Sequence, residues 1–209
     1  MRPTDIKDKL GDLPYMRLDQ AEQLFSFLRS YDLKTCLELG FYHGVSSAYI
    51  AGALQELGTG SLTTIDLEWA RQLKPNIYEI LTNLGLEETV TTYFEPVSYN
   101  WRLMKFLEVG MQNSFDFCYI DGGHNWYSTG FAFCLVGRLL RPGGWIIFDD
   151  LDWTHEDPTV RGSEWVSKIP VKERTTAQVR NVFELLVKTD PAFDSFYENN
   201  QWGFARKKA

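Results

Sequence analysis

The 209-residue sequence contains few cysteines, no cluster of basic residues and no long apolar run. Its three cysteines, Cys36, Cys118 and Cys134, are widely spaced in apolar segments, which favours buried free thiols over a disulfide framework or a zinc site. The net charge of -7 argues against a nucleic-acid or anionic-membrane surface. No segment approaches the roughly 20 apolar residues of a transmembrane helix, and no signal-peptide core follows Met1. We therefore predict a cytoplasmic protein with a small-molecule substrate.

Short apolar segments alternate with amphipathic segments along most of the chain. Apolar runs without polar alternation are typical of strands buried on both faces of a parallel sheet, and apolar side chains spaced by three and four residues indicate helices. This order predicts right-handed βαβ units and an α/β fold with a doubly wound, mostly parallel sheet. The predicted strands are 34–39, 61–65, 89–94, 115–120 and 145–148, and the predicted helices are 18–29, 46–57, 77–84, 101–108, 127–140 and about 176–188.

Three regions fall outside this alternation. Residues 1–33 are predicted to form an N-terminal helical extension, and the polar stretch 151–175 is predicted to be a lid or substrate loop. Two aromatic segments, 193–197 and 202–205, flank a turn-forming Asn pair, which predicts an antiparallel hairpin on the sheet edge. Because no linker or low-complexity segment interrupts the chain, we expect a single domain over 1–209.

Carboxylates follow two of the predicted strands directly. Asp121 ends the strand 115–120, and Asp149 and Asp150 end the strand 145–148. In a parallel sheet, ligands bind beyond the carboxyl ends of the strands, and three acids that meet there require a cation. His124 lies three residues after Asp121, which would set a titratable base beside such an ion.

A glycine-containing turn separates the first predicted strand from the following helix. Its spacing is Glu38-x-Gly40-x-x-x-Gly44, which differs from the Gly-x-Gly-x-x-Gly pattern of dinucleotide folds and does not specifically indicate a pyrophosphate. An acid just before the turn suits a cationic or amino-bearing ligand. Asp66 ends the second strand 22 residues after Gly44, where an acid can bind ribose hydroxyls.

These residues together resemble the class I S-adenosylmethionine-dependent methyltransferases, whose fold is Rossmann-like; the resemblance covers roughly residues 34–206. The segments 119–124 and 140–150 more specifically resemble metal-dependent small-molecule O-methyltransferases of the catechol and macrolide-sugar types. The resemblance implies that Glu38 and Gly40 lie near the methionine amino group, that Asp66 holds the ribose, and that Ser98 lies near the adenine. The cofactor-binding residues expected on this basis are Glu38, Gly40, Tyr42, Gly44, Ser46, Asp66, Ser98 and Asp121.

The same resemblance implies a metal site at Asp121, Asp149 and Asp150, with His124 as the catalytic base and Asp121 also counted as catalytic. Methyl transfer to oxygen benefits from a cation that lowers the pKa of the hydroxyl and from a base that takes its proton. Oxygen ligands favour Mg²⁺ or Mn²⁺ over zinc. Asp150 departs from the catechol relatives, which usually have Asn there, so its role is the least defined of the three. The predicted partner is a small-molecule hydroxyl acceptor, and a homodimer is the assembly considered.

Alternative interpretations remain open from the sequence. The aspartates could cap helices or end strands, since Asp is favoured in turns, and His124 could be a surface residue stacked on Trp126. His43 and His155 are rival bases. Trp126, Trp153 and Trp165 line a pocket on one interpretation and pack in a core or lid on the other. At the level of function, the alternatives are a metal-independent methyltransferase and a non-catalytic S-adenosylmethionine-binding module; a nicotinamide oxidoreductase is disfavoured by the glycine spacing.

Overall fold

Seven strands form one sheet in the computed structural model, which describes all residues from 1 to 209. The strand order is β3-β2-β1-β4-β5-β7-β6. The first five strands are mutually parallel, and β7 runs antiparallel between β5 and β6. The order reverses between β1 and β4, which is where open parallel sheets bind ligands. The strands are β1 (Thr35–Leu39), β2 (Ser61–Leu67), β3 (Val90–Glu95), β4 (Phe115–Ile120), β5 (Leu140–Phe148), β6 (Phe193–Asn199) and β7 (Trp202–Lys207).

Helices cover both faces of this sheet. None of them has the combination of length and apolar sequence that crossing a bilayer requires. The helices are α1 (Pro3–Leu10), α2 (Leu18–Ser30), α3 (Val45–Glu56), α4 (Ile77–Leu84), α5 (Tyr99–Glu108), α6 (Trp126–Leu139), α7 (Glu164–Ser167), α8 (Val171–Arg174) and α9 (Gln178–Val182), the last of which continues as a π-helical turn, Phe183–Val187.

Strand β4 lies at the centre of the packing, and all six of its residues are buried. Cys118 and Ile120 belong to a core that includes side chains of α5, α6 and the π-helical turn. Phe117 and Tyr119 belong to a second core with side chains of α2 and α3. Successive side chains of a strand point to opposite faces, so an unbroken apolar run is what a strand covered on both faces requires.

The predicted α/β fold, with a mostly parallel sheet and an antiparallel C-terminal hairpin, is confirmed. The region 1–33 contains α1 and α2, and the region 151–175 contains α7 and α8. The prediction that all three cysteines are buried is wrong for Cys134, which lies on an exposed position of α6.

Two predicted boundaries are also wrong. Strand β5 begins at Leu140 and includes the segment 141–144, which the predictions left outside the helix 127–140 and the strand 145–148. Leu140 pairs with Phe115 across an irregular register, and this pairing extends the strand. The predicted helix 176–188 is regular only over Gln178–Val182, and the residues after it have wider π-helical hydrogen bonding.

Candidate active site

A cavity of about 840 Å³ lies at the carboxyl ends of β1, β2, β4 and β5. Its walls include the segment Pro14–Arg17, which precedes α2, and residues between Trp153 and Val160, in the segment predicted to be a lid or substrate loop. The predicted site residues that line it are Gly40, Tyr42, Ser46, Asp66, Ser98, Asp121, His124, Asp149 and Asp150. Glu38 and Gly44 are not part of its lining. The strand ends therefore bring together residues that are up to 110 positions apart in the chain.

The turn between β1 and α3 forms one end of the cavity. Gly40 has φ +86°, and a Cβ at this position would overlap the backbone carbonyl of Asp121. Asp66 holds the turn in place, since its Oδ2 accepts hydrogen bonds from the amides of Phe41 (2.8 Å) and Tyr42 (2.7 Å). Its Oδ1 accepts a third from the Leu67 amide at 2.6 Å. The conformation of the turn thus depends on a glycine and on the acid that ends β2.

Glu38 lies beneath this turn and is fully buried. Its Oε2 accepts hydrogen bonds from the hydroxyls of Ser47 and Thr64, whereas its Oε1 has no partner. Burial raises the pKa of Glu38 to about 7. Because Glu38 does not line the cavity, its expected contact with a methionine amino group stays a prediction.

At the other end of the turn, Asp121, His124 and Asp150 come together. Each offers a ligand atom, and these atoms all lie within 4.8 Å of one another. The His124 Nε2 atom is 3.7 Å from the Asp150 Oδ2 atom. Two carboxylates and one imidazole at these distances, in the lining of a cavity, could hold a metal ion.

Asp149 lies behind this group. Its Oδ2 accepts a hydrogen bond from the Tyr119 hydroxyl, and its Oδ1 accepts one from the Asp150 amide at 2.6 Å. Asp149 still lines the cavity, and a carboxylate oxygen can accept more than one bond. It is therefore more constrained than Asp121 and Asp150, and its role as a ligand stays a prediction.

The negative charges of these acids are not compensated within the group. Burial, followed by the charges of Asp149 and Asp150, raises the pKa of Asp121 well above its ordinary value. Burial and the charge of Asp150 raise the pKa of Asp149 to about 6. Burial lowers the pKa of His124, which favours the neutral imidazole. A divalent cation would offset two of the three carboxylate charges, and a neutral imidazole can accept a proton beside it.

The backbone at two of these residues is strained. His124 has φ +28° and Asp150 has φ +54°, both in the left-handed region that non-glycine residues rarely adopt. Strain of this kind persists only where the surrounding structure holds it, and it occurs often at ligand sites. Here it sets both side chains on the cavity side of their loops.

Next to Gly122 and Gly123, the cavity lining contains polar atoms that the fold leaves without partners. The Tyr99 hydroxyl and the Ser128 Oγ atom are buried, line the cavity and have no hydrogen-bond partner. Ser98 caps α5 by accepting a hydrogen bond from the Asn100 amide at 3.1 Å. Sequence reasoning found Ser98 but missed Tyr99 and Ser128. The available signal was their position in the first turns of α5 and α6, which begin at the ligand-binding edge.

The rival bases and the tryptophans have distinct positions. The His43 Nδ1 atom is 2.6 Å from the Pro75 carbonyl oxygen, outside the cavity lining. His155 is buried between the rings of Trp153 and Trp165, at centroid distances of 4.9 and 5.5 Å. The His124 ring lies 4.8 Å from the Trp153 ring, so its aromatic neighbour is Trp153 rather than the Trp126 considered from the sequence. Of the three tryptophans, Trp153 is the one that lines the cavity.

Many solved structures of α/β proteins are similar to this fold. An O-methyltransferase from Bacillus cereus, in complex with SAH, superposes with a TM-score of 0.69 at 18% identity over 99% of this chain and 90% of that chain. The O-methyltransferase TomG from Streptomyces achromogenes, in complex with SAM, gives 0.65 at 20% identity over 99% and 88%. At these identities the likeness shows the fold.

Residues 37–151 match the family model described as a methyltransferase domain, and this protein belongs to that family. The predicted resemblance to methyltransferases is therefore confirmed. A probable caffeoyl-CoA O-methyltransferase 2 from Dictyostelium discoideum is 24% identical over 140 residues, which cover 66% of this chain and 57% of that protein. Catechol O-methyltransferase domain-containing protein 1 from Mus musculus is 25% identical over 188 residues, covering 90% and 65%. The chain thus spans less than two thirds of the length of these relatives.

Proposed function

We propose that this protein transfers the methyl group of S-adenosylmethionine to a hydroxyl of a small molecule, with the assistance of a divalent cation. The observation that carries the proposal is the grouping of Asp121, His124 and Asp150 within 4.8 Å at the edge of a cavity. The family membership and the printed names of the relatives support a methyltransferase that acts on oxygen.

The residues around the β1–α3 turn fit the methyl donor. Gly40 lines the cavity where its turn packs against the Asp121 carbonyl, and Asp66 borders the cavity at the end of β2. The unpartnered Tyr99 hydroxyl and Ser128 Oγ atom can donate to and accept from the ring nitrogens of an adenine. We propose Gly40, Tyr42, Ser46, Asp66, Ser98 and Asp121 as cofactor contacts, with Glu38 and Gly44 supporting the turn from outside the cavity.

The acids fit a hard divalent ion, and we propose Mg²⁺ or Mn²⁺ held by Asp121 and Asp150, with Asp149 as the third ligand. When bound, such an ion lowers the pKa of a hydroxyl and stabilises its oxyanion. His124 takes the hydroxyl proton on its neutral imidazole. The cavity walls hold the acceptor oxygen in line with the methyl group and keep water away.

The ligand set can be tested without an acceptor. Mn²⁺ titration followed by electron paramagnetic resonance should give weak binding for Asp149→Asn and near wild-type binding for His124→Ala. The exposed Asp8, which has no hydrogen-bond partner, provides the control Asp8→Asn. A loss of Mn²⁺ affinity in His124→Ala with none in Asp149→Asn would mean that His124, and not Asp149, is the metal ligand.

A metal-independent methyltransferase is the second candidate. The specific observation in its favour is that both Asp149 oxygens already accept hydrogen bonds within the fold. Turnover that survives exhaustive chelation, with S-adenosylhomocysteine affinity unchanged, would select this second candidate and reject the first.

We further propose a cytoplasmic protein that uses neither nucleic acid nor a membrane as its substrate. The support is the net charge of -7 and the absence of a basic cluster. A homodimer is proposed as the assembly, to be measured by sedimentation. Failure to sediment as a dimer at micromolar concentration would reject it.

A further inference from the structure

The cavity contains a marked excess of negative charge. Five aspartates line it, at positions 66, 121, 149, 150 and 157, and Arg17 is the one arginine or lysine among the lining residues. Arg17 is engaged by Asp19, because its Nε donates to Oδ1 at 3.0 Å and its Nη2 to Oδ2 at 2.9 Å. The one cationic side chain of the lining is therefore already paired with a carboxylate.

The proposed ligands do not cancel this excess. A divalent ion and the single net positive charge of S-adenosylmethionine together offset three of the five carboxylate charges. The cavity is a ligand site on independent grounds, because the buried Tyr99 hydroxyl that lines it has no partner in the fold. An acceptor must consequently enter a cavity whose potential is negative.

Asp157 supplies negative charge from the lid. The Thr159 amide and hydroxyl both donate to its Oδ1, at 2.9 and 2.5 Å, and its Oδ2 has no protein partner. These hydrogen bonds, with a smaller contribution from the nearby charge of Arg161, lower the pKa of Asp157 and keep it ionised. Burial, followed by the charge of Asp157, raises the pKa of Asp150, and burial, followed by the charges of Tyr42 and Asp157, raises the pKa of Tyr15. The field of Asp157 therefore reaches one proposed metal ligand and one aromatic residue of the cavity lining.

Aromatic rings in the same lining also favour a positively charged ligand. Tyr15, Tyr42, Trp69 and Trp153 line the cavity, and the face of an aromatic ring attracts cations. An acceptor with carboxylate or phosphate groups would meet Asp157 and Asp150 in a lining whose one arginine or lysine, Arg17, is already paired with Asp19. Recognition of phosphate normally relies on such cationic side chains.

We propose that this cavity selects hydroxyl acceptors that carry a protonated amine and rejects acceptors that carry carboxylates or phosphates, with Asp157 as the residue that sets the preference. The inference rests on the proposed methyl transfer for its catalytic step. By this inference, the protein does not accept coenzyme A esters, which carry several phosphates.

The test uses two probes that share a catechol ring and differ in the charge of the side chain, dopamine and 3-(3,4-dihydroxyphenyl)propionate, with caffeoyl-CoA as a third. With Mg²⁺ and S-adenosylmethionine, kcat/KM for dopamine should exceed that for the propionate by about 10-fold or more. Asp157→Lys should reverse the preference. Asp8→Lys makes the same change in net charge on the exposed face of α1, and it should leave the ratio unaltered.

Equal or better turnover of the propionate or of caffeoyl-CoA by the wild-type protein would overturn the inference and leave the proposed methyl transfer intact. If no probe is methylated, the methyl-transfer proposal fails, and calorimetric binding of the two catechols with Mg²⁺ and S-adenosylhomocysteine then decides the inference. Tighter binding of dopamine, lost in Asp157→Lys, would support charge selection. Equal binding of the two catechols would overturn it.

Discussion

Strand β4 has an aspartate near each end, and the two have opposite surroundings. Asp116, near the start, accepts hydrogen bonds from the Lys34 and Thr35 amides at 2.9 and 3.0 Å and pairs with Arg141 at 2.8 Å. Asp121, just beyond the end, lies among other carboxylates, and its pKa is raised by burial and by their charges. The fold satisfies the first acid completely, whereas no side-chain hydrogen bond or ion pair of the fold engages the second. Buried charge therefore has a structural role at one edge of the sheet, and we propose a ligand-binding role for it at the other.

The largest effect is expected at Asp121. Asp121→Asn should lower Mn²⁺ affinity by more than about 100-fold, because it removes a direct ligand, while the metal-free protein should be at least as stable as wild type. Isothermal titration and urea unfolding measure the two quantities. A clear loss of stability in the metal-free variant would mean that Asp121, like Asp116, is held by the fold.

The matched change at Asp116 should act on stability alone. Asp116→Ala leaves Arg141 and two backbone amides without their acceptor, which should lower the free energy of unfolding by about 3 kcal/mol. Urea unfolding measures this loss, and Mn²⁺ affinity at temperatures where the variant is folded should be unchanged. A weakened metal site in the folded variant would contradict the separation between the two ends of β4.

His124 should affect turnover without affecting either binding step. His124→Ala should lower kcat for dopamine by about 100-fold, because a positioned base contributes that much to proton removal. Affinities for S-adenosylhomocysteine and Mn²⁺ should stay within a few-fold of wild type. His43→Ala, which removes a histidine outside the cavity lining, provides the comparison. A kcat near wild type in His124→Ala would eliminate it as the base.

The smallest effect is a pH dependence of stability from Glu38. Its pKa is raised from 4.5 in the unfolded chain to about 7 by burial, so the folded state binds the proton more tightly over that interval. Stability from this group is fully present below about pH 4.5 and is lost as the pH rises to about 7, by roughly 3 kcal/mol at most. Urea unfolding at pH 5 and pH 8 should show a smaller decline in Glu38→Gln than in wild type. Equal declines would show that Glu38 ionises as readily in the folded protein as in the unfolded chain.

The parts of the fold that were predictable from the sequence are those with strong local patterns. The apolar run of β4 and the acid that follows it indicate a buried parallel strand and a ligand edge, and the structure has both. The extension of β5 back to Leu140 was not predictable, because Pro142 and two glycines signal a turn, and only pairing with β4 overrides that signal.

The candidate site was predictable in its residue types and less so in its geometry. Adjacent strand ends bring Asp121 and Asp150 together, as the spacing suggested. The hydrogen bond to Asp149 comes from the Tyr119 hydroxyl. Tyr119 is placed there by the strand register, which pairs it with Ile147, and the sequence around Asp149 does not indicate this pairing. Asp157 was missed because the segment after β5 has no periodicity that marks a cavity wall, and Tyr99 because its one signal is its position at the start of α5.

Gly40 has no side chain, and its backbone therefore packs directly against the carbonyl of Asp121. The turn proposed for the methyl donor and the residue proposed for the ion consequently share one rigid contact. Binding of the methyl donor should stiffen the metal site, and binding of the ion should stiffen the turn. Thermodynamic linkage then requires each ligand to increase the affinity of the other by the same factor. The order in which donor and ion arrive would then be immaterial to the final complex, and neither would bind as tightly alone as in the presence of the other.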